Sequence, residues 1–334
     1  MIHDSSIRSV QFVTQDHWVW NYGSKWDRII AIGDIHGDLD GLLRIMIGIG
    51  VMDEAGSWIA SSTLVVLIGD LNDRGPDSIA VISFVMELQQ DAEANGGRVE
   101  SLLGNHELLA AKGDYSYARA VEVLAMEEFR FDQRVGLDAF YRGASPYAAW
   151  IRSRPTIIKA SDCVFVHAGL GDWARECRPE WVNATVAAWV ANFQGVTDEP
   201  GEETFWLVKG DGEGPLWTTA FATDTSKSER DGFSKEGLAA VLDTWGARLV
   251  VAGHCPTRDI DYRICHPHPF YGDAVAVIDT GISRWIGGRL SAVELRNGSL
   301  TDHYFERGLE ELPLTKRIRT RCEEERAELS KQNR

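Results

Sequence analysis

Six short apolar runs constrain the fold of this chain more strongly than any other feature of its 334 residues. The runs are rich in Val, Ile and Leu and are bounded by Gly, Asp and other turn-forming residues, which is typical of buried strands. Between them, segments 39–49 and 77–90 have the helical spacing of an amphipathic helix. This alternation predicts a layered α/β fold. The six predicted strands are 28–32, 63–68, 99–103, 163–166, 249–252 and 274–278.

Residue types that bind metals follow five of these runs directly. The blocks read GDIHGD at 33–38, GDLNDRG at 69–75, GNHE at 104–107, HAG at 167–169 and GH at 253–254. Side chains at the carboxyl ends of neighbouring strands can converge on one crevice, and imidazole and carboxylate suit manganese, iron and zinc. The sequence therefore predicts a site for two divalent ions, bridged by Asp70 through its two oxygens. The predicted ligands are Asp34, His36, Asp70, Asn105, His167 and His254.

Such a centre has a definite chemistry. Two carboxylates against two divalent ions leave the site net positive, so it would attract a phosphate dianion, and a water bridging the ions would be the nucleophile. Arg74 is placed to grip phosphate oxygens, with Asn105 as a second substrate contact. His106 is placed to protonate the leaving oxygen, and Asp73 to orient that imidazole. These residues predict hydrolysis of a phosphate ester.

The five blocks resemble the signatures of calcineurin-like metallophosphoesterases of the phosphoprotein phosphatase type, which read GDxHG, GDxxDRG, GNHE, a later His, and GH. The resemblance spans residues 26–295 and is strongest to the bacterial Shewanella-like branch. It implies a central β-sandwich of mixed sheets flanked by helices, in αββα order, with helical cap insertions. The additional similar segments are 147–155, 164–170, 214–217, 254–257 and 278–283.

The resemblance also implies a role for each predicted site residue. Arg74 would clamp the phosphate, and His106 would act as the general acid together with Asp73. The ligands implied for one metal are Asp34, His36 and Asp70. The ligands implied for the other metal are Asp70, Asn105, His167 and His254.

The chain departs from the family pattern at two informative places. Asn72 replaces a residue that is usually apolar, which brings an additional polar group near the site. Relatives generally have an Arg close behind Trp217 as a second phosphate contact, whereas residues 218–221 read TTAF. Lys209 and Arg284 are the candidates to replace that contact.

Residues 1–310 are predicted to form a single domain, and residues 311–334 a charged helix or tail. Two insertions, at about 111–147 and 171–233, fall between ligand blocks. We therefore expect both insertions to cover the metal crevice as a cap that shapes the access of the substrate. The first insertion has a predicted helical stretch around 117–131.

Composition limits the partners of this protein. Lys and Arg number 34 against 50 Asp and Glu, a net charge of −16, which disfavours nucleic acid and anionic membranes because both are bound through basic contacts. No apolar stretch approaches the length of a membrane span, and the first residues do not resemble a secretory signal. The five cysteines lack paired spacing, which favours reduced thiols and a cytoplasmic location.

Together these observations predict a two-metal phosphomonoesterase. The substrate would be a protein carrying phosphotyrosine, phosphoserine or phosphothreonine, or a small phosphate ester. The predicted metal is Mn²⁺, although iron and zinc suit the same ligands. A phosphodiesterase or dinucleoside polyphosphate hydrolase is the alternative for the same dinuclear site. A catalytically silent binding module is disfavoured because all six ligands, Arg74 and His106 are present.

Overall fold

The computed structural model of the protein describes residues 20–194, 201–224 and 233–333. Part of the second predicted insertion, 171–233, therefore lies outside the described residues. The strands are β1 Arg28–Ile32, β2 Thr63–Leu67, β3 Arg98–Ser101, β4 Arg130–Phe131, β5 Arg134–Val135, β6 Ile157–Ala160, β7 Cys163–Val166, β8 Leu249–Ala252, β9 Val275–Val277, β10 Leu290–Arg296 and β11 Ser299–Phe305. The α-helices are α1 Leu39–Gly48, α2 Ser78–Ala94, α3 Asn105–Lys112, α4 Ala120–Met126, α5 Gly136–Tyr141, α6 Pro146–Arg152, α7 Pro179–Phe193, α8 Lys235–Trp245 and α9 Pro313–Gln332.

Nine of these strands form two mixed sheets. The first sheet has the order β11-β10-β1-β2-β3, in which β1, β2 and β3 are parallel and the β10–β11 hairpin is antiparallel. The second has the order β6-β7-β8-β9, in which β7, β8 and β9 are parallel and β6 is an antiparallel edge strand. The predicted α/β fold with mixed sheets is confirmed.

The two sheets pack face to face, because successive side chains of a strand point to opposite faces. On β1, Ile29 joins a buried core between the sheets together with Phe165 of β7 and Val251 of β8. The next residue, Ile30, lies in a second buried core with residues of the flanking helices, such as Leu42 of α1. Helices therefore cover the outer faces of a β-sandwich, which is the predicted αββα arrangement.

The charged carboxyl-terminal segment forms helix α9, and one face of this helix is buried. Leu314, Ile318 and Cys322 lie within the core that also contains residues of α1 and α2. On the same helix, Arg319 donates two hydrogen bonds to the Asp77 carboxylate, at 2.7 and 2.9 Å. Among the residues that the structure describes, no helix is long and apolar enough to cross a membrane.

The first insertion differs from its predicted helical stretch at 117–131. Helix α4 ends at Met126, and the chain then forms the short hairpin of β4 and β5. The two residues between those strands, Asp132 and Gln133, have φ values of 48° and 64°, which is the left-handed conformation of a tight hairpin turn. The prediction of helix is therefore wrong for residues 117–119 and 127–131.

Candidate metal centre

All six predicted ligands lie at the carboxyl ends of strands along one edge of the sandwich. Four of them, together with His106, form two overlapping groups around one shared carboxylate, that of Asp70. In one group, Asp70 lies with His36 and His106, and in the other with His167 and His254; within each group the nitrogen and oxygen donors are all within 4.8 Å of one another. The ligands and the elements they follow are Asp34 and His36 after β1, Asp70 after β2, Asn105 after β3, His167 after β7 and His254 after β8.

Two of the imidazoles are held in a fixed tautomer by backbone carbonyl groups. His36 Nδ1 lies 3.0 Å from the carbonyl oxygen of Asn72, and His167 Nδ1 lies 3.0 Å from that of Ile68. Burial lowers the pKa of His36 to about 3 and also lowers the pKa of His167. Each neutral ring therefore donates its Nδ1 proton to a carbonyl and turns an unprotonated Nε2 toward Asp70, 3.6 Å away in both cases. This is how protein histidines present a lone pair to a metal.

The side-chain oxygen of Asn105 provides a test of whether these residues fit a cation. It lies 2.8 Å from His167 Nε2 and 3.1 Å from His254 Nδ1. Since His167 donates its only proton at Nδ1, its Nε2 and the amide oxygen are two lone-pair-bearing atoms in direct contact, and they repel each other. A cation that accepts both lone pairs turns this repulsion into coordination. The donor set therefore fits a divalent metal.

Buried carboxylates give a second sign of a missing positive charge. Asp34 is 1% exposed, and its pKa is well above the usual value because of burial and of repulsion by Asp279 and Asp70. Burial also raises the pKa of Asp279 to about 7, and its Oδ2 atom has no hydrogen-bond partner among the residues that the structure describes. For Asp70, burial acts in the same direction, but the neighbouring imidazoles, His167 first, hold its pKa below the usual value. Metal cations would stabilise the ionised forms of all three groups.

The backbone is strained at the same residues. His36, Asp70 and His254 have φ values of 46°, 51° and 66°, and Asp73 and Arg74 have values of 66° and 63°. Residues other than glycine rarely adopt this left-handed region, at a cost of about 1 kcal/mol or more each. Such strain persists only where the surrounding structure imposes it, and here it directs the side chains into a common space.

Glu107 organises the loops that carry the ligands, a role that the sequence analysis did not assign. Its buried carboxylate accepts hydrogen bonds from the backbone N–H groups of Asp70, Leu71 and Gly104, at 3.0, 2.7 and 2.7 Å. Burial and the charge of Asp70 raise the pKa of Glu107 to about 7. Its position as the last residue of the GNHE block was the available sequence signal.

His106, Asp73 and Arg74 form a connected set beside the shared carboxylate. His106 Nδ1 lies 2.7 Å from Asp73 Oδ2, and the guanidinium of Arg74 lies 3.3 Å from His106 Nε2. Although burial alone would lower it, the pKa of His106 is raised by Asp70 and Asp73. Asn72 supports this set, since its amide donates to the carbonyl of His106 at 3.2 Å. The three predicted catalytic side chains are thus next to one another and next to the predicted ligands.

A crevice of about 550 Å³ opens over this centre. Two aromatic rings line it, each beside a different imidazole of the cluster: Tyr117 lies 5.0 Å from the His106 ring, and Trp217 lies 6.2 Å from the His254 ring. These two residues belong to the first and second predicted insertions, respectively. The crevice has the size and the aromatic walls of a small-molecule or side-chain binding site.

The structure corrects the candidates for a second cationic contact. Lys209 pairs with Asp211 at 2.7 Å, and Arg284 bonds to Asp40 at 3.1 Å; neither lines the crevice. Arg258 lines the crevice instead. Arg258 was not predicted because it lies four residues beyond a ligand block, where only the chain path after β8 brings it back to the site.

A β-sandwich with this donor set at its strand ends defines a class of protein, the metal-dependent hydrolases of phosphate esters. Comparison with known proteins gives the family: a model of the calcineurin-like phosphoesterase family matches residues 27–257. This is more than half of the chain, and the protein belongs to that family. It is a hydrolase, and divalent metals are its cofactors.

Individual relatives agree with this assignment. The chain is 28% identical to Shewanella-like protein phosphatase 1 of Plasmodium berghei over 263 residues, covering 78% of this chain and 68% of the relative. It is 30% identical to an uncharacterized protein of Schizosaccharomyces pombe over 288 residues, covering 83% and 80%. Among solved structures, a cold-active protein-tyrosine phosphatase of a psychrophilic Shewanella has the same fold, with a TM-score of 0.69, 24% identity and coverage of 86% and 82%.

Proposed function

We propose that this protein is a phosphomonoesterase of the protein phosphatase type, acting on phosphotyrosine and on phosphoserine or phosphothreonine in proteins. The contact between Arg74 and His106, at 3.3 Å beside the shared carboxylate, is the observation that carries the proposal. It sets a phosphate-binding group next to a proton donor, which is the combination that cleavage of a monoester requires. The Shewanella-like protein phosphatase among its relatives supports the same substrate class.

The metals would be held by the six clustered residues. We assign Asp34, His36 and Asp70 to one ion, and Asp70 with Asn105, His167 and His254 to the other. When bound, two divalent ions supply charge stabilisation and an activated water at neutral pH. Mn²⁺ is the ion we propose, and iron and zinc suit the same nitrogen and oxygen donors.

The chain's own residues would bind the substrate and move the proton. Arg74 is exposed to the crevice, so its guanidinium can hold two phosphate oxygens, and the amide of Asn105 can contact a third. The imidazolium of His106 would donate its Nε2 proton to the leaving oxygen. Asp73 holds the opposite ring nitrogen at 2.7 Å, so it keeps the ring oriented while the proton is transferred.

The two insertions would act as a cap on a single domain of residues 1–310 and would favour an aryl phosphate. Tyr117 and Trp217 flank the donor cluster, and the ring of a phosphotyrosine can pack between two such walls. A phenoxide is also an easier leaving group than an alkoxide, which suits a site that lacks the usual Arg behind Trp217. We further propose a cytoplasmic location, which is supported by the absence of a disulfide among the five cysteines.

The proposal is tested by phosphate release from the protein loaded with Mn²⁺ and analysed for metal. Substrates would be matched phosphotyrosine and phosphoserine peptides, an aryl phosphate monoester, an aryl phosphodiester and a dinucleoside tetraphosphate. We expect turnover of the monoesters, loss of turnover with a chelator, and a preference for the phosphotyrosine peptide. Turnover confined to the diester or the dinucleotide would establish the alternative function and overturn the protein phosphatase assignment. Equal or faster turnover of phosphoserine peptides would contradict the aryl preference.

A further inference from the structure

Arg258 is an exposed cation in the crevice for which the proposed function gives no role. It begins the short 3₁₀ helix Arg258–Ile260, which follows β8 and His254. Its side chain is exposed, as is that of Arg74, and both arginines line the same crevice. Within residues 20–194, 201–224 and 233–333, neither guanidinium forms an ion pair with a carboxylate. Unpaired arginines that share a concave site are available to bind anionic groups of a ligand.

The two arginines that line the crevice have different contacts. Arg74 contacts the catalytic set directly, at 3.3 Å from His106, and its guanidinium lies 5.3 Å from the ring centre of Tyr117. Arg258 makes no side-chain hydrogen bond to a predicted ligand in the described part of the chain. Its neighbours along the crevice wall are Pro256 and Asp259. Arg74 is therefore next to the position of the transferred phosphate, and Arg258 lies on the part of the crevice wall that follows His254.

We propose that Arg258 binds a second anionic group of the substrate: the carboxylate of an acidic residue adjacent to the phosphorylated residue in a peptide. The inference rests on the proposed function, because it requires a peptide substrate. A guanidinium matches a carboxylate with two parallel hydrogen bonds. In a chain with a net charge of −16, an exposed cation in the crevice gives an acidic peptide a local attraction that the net charge does not provide.

Two carboxylates on the same wall should make binding of an acidic peptide depend more strongly on Arg258. Asp259 accepts a hydrogen bond from the Thr223 hydroxyl, and Asp224 also lines the crevice. With Arg258 present, the described part of this wall carries charges of both signs. Without it, the charged side chains that the described residues place there would be carboxylates, and like charges would repel an acidic peptide. Removal of the arginine should therefore cost an acidic peptide more than it costs a neutral one.

The experiment compares Arg258→Gln with wild type on three substrates. These are a phosphotyrosine peptide with Glu on both sides of the phosphotyrosine, the same peptide with Gln at those positions, and p-nitrophenyl phosphate. We expect Arg258→Gln to reduce kcat/KM for the acidic peptide about fivefold more than for the other two, mainly through KM, as for an exposed charge pair. Arg263→Gln is the matched control, because Arg263 is an exposed arginine five residues away that does not line the crevice.

Binding is measured separately from turnover by calorimetry with non-hydrolysable phosphonate versions of both peptides. A selective loss of affinity for the acidic peptide in Arg258→Gln, absent in Arg263→Gln, supports the proposal. An equal loss on all three substrates would assign Arg258 to the transferred phosphate and overturn it, as would no loss at all. If wild type hydrolyses no phosphopeptide, the proposed function fails, and the calorimetric comparison still decides whether Arg258 binds the carboxylates.

Discussion

The core between the two sheets and the loops at the strand ends are adjacent in space, but they differ in the polarity of their buried side chains and in the regularity of their backbone. Inside the sandwich, Phe165 and Val251 are fully buried, and the strands around them are regular. A few residues further along the chain, the buried side chains are Asp34, Asp70 and His167, and the backbone is left-handed at several positions.

This difference separates the source of stability from the source of activity. Apolar burial between the sheets contributes favourable free energy of folding. Buried carboxylates and a strained backbone oppose folding, so the loops are kept in place by the core beneath them. Substitutions in the core should therefore change mainly the stability of the protein, and substitutions in the loops mainly its activity.

The largest effect is expected for Asp70→Asn, because Asp70 is shared by both groups of donors. Loss of both ions removes several kcal/mol of charge stabilisation together with the activated water, so kcat/KM should fall by about 10⁴-fold or more. Metal analysis after gel filtration should show less than the wild-type content, while circular dichroism shows a folded protein. Full activity in this variant would contradict the shared role of Asp70.

His106→Ala should reduce kcat by about 10³-fold, because a general acid contributes roughly 10²–10⁴-fold. Metal content should remain at the wild-type level, since His106 is proposed to move a proton and not to hold an ion. The loss should be smaller for p-nitrophenyl phosphate than for a phosphoserine peptide, because p-nitrophenoxide leaves without protonation. Equal losses on both substrates would argue against the role of general acid.

Phe165→Ala tests the other side of the comparison. This ring is fully buried between the sheets, so its truncation should lower the free energy of unfolding by about 3–5 kcal/mol. Below the unfolding transition, kcat of the folded protein should stay close to wild type. Chemical denaturation measures the free energy of unfolding. The control is Ile59→Ala, because this side chain is 59% exposed. A loss of kcat without a loss of stability would break the separation of the two regions.

Asp34→Asn should have the smallest effect, a change in the free energy of unfolding opposite in sign to that of Phe165→Ala. In the metal-free protein this buried carboxylate is repelled by Asp279 and Asp70, so its neutralisation should raise the free energy of unfolding by about 1 kcal/mol. The metal-loaded variant should bind metal less tightly than wild type. Thermal unfolding with and without chelator measures both effects. Asp243→Asn on the surface of α8 is the control for removal of a carboxylate. Lower stability of the metal-free variant would contradict this account.

The sequence was sufficient for the regular parts of the fold because their signals are local. The predicted strands 28–32, 163–166 and 249–252 have the observed bounds, and 63–68 and 274–278 are within one residue at each end. Strand β6 was missed because it is a short edge strand. The helix predicted over 117–131 was wrong at its end because the turn at Asp132 and Gln133 depends on backbone conformation, which the apolar spacing does not reveal.

For the site, the sequence predicted the side chains that directly follow strands, and the structure brings all of them together. Their individual roles remain predictions. The sequence did not predict the side chains whose position in the site depends on tertiary packing. Arg258 reaches the crevice only through the turn after His254, and the interaction of Asp34 with Asp279, which follows the predicted strand 274–278, was not predicted. Glu107 was overlooked because its partners are backbone N–H groups, which leave no pattern of residue types.

The single carboxylate of Glu107 has a consequence for how quickly the protein can be loaded with metal. By binding the N–H groups of Asp70 and Gly104, it fixes the ends of β2 and β3 relative to each other through contacts within the chain. The amide hydrogens of these residues should therefore exchange slowly with solvent even in the metal-free protein. Uptake of an ion would then require no ordering of the loops, so we expect its rate to depend on dehydration of the ion and on its diffusion through the crevice.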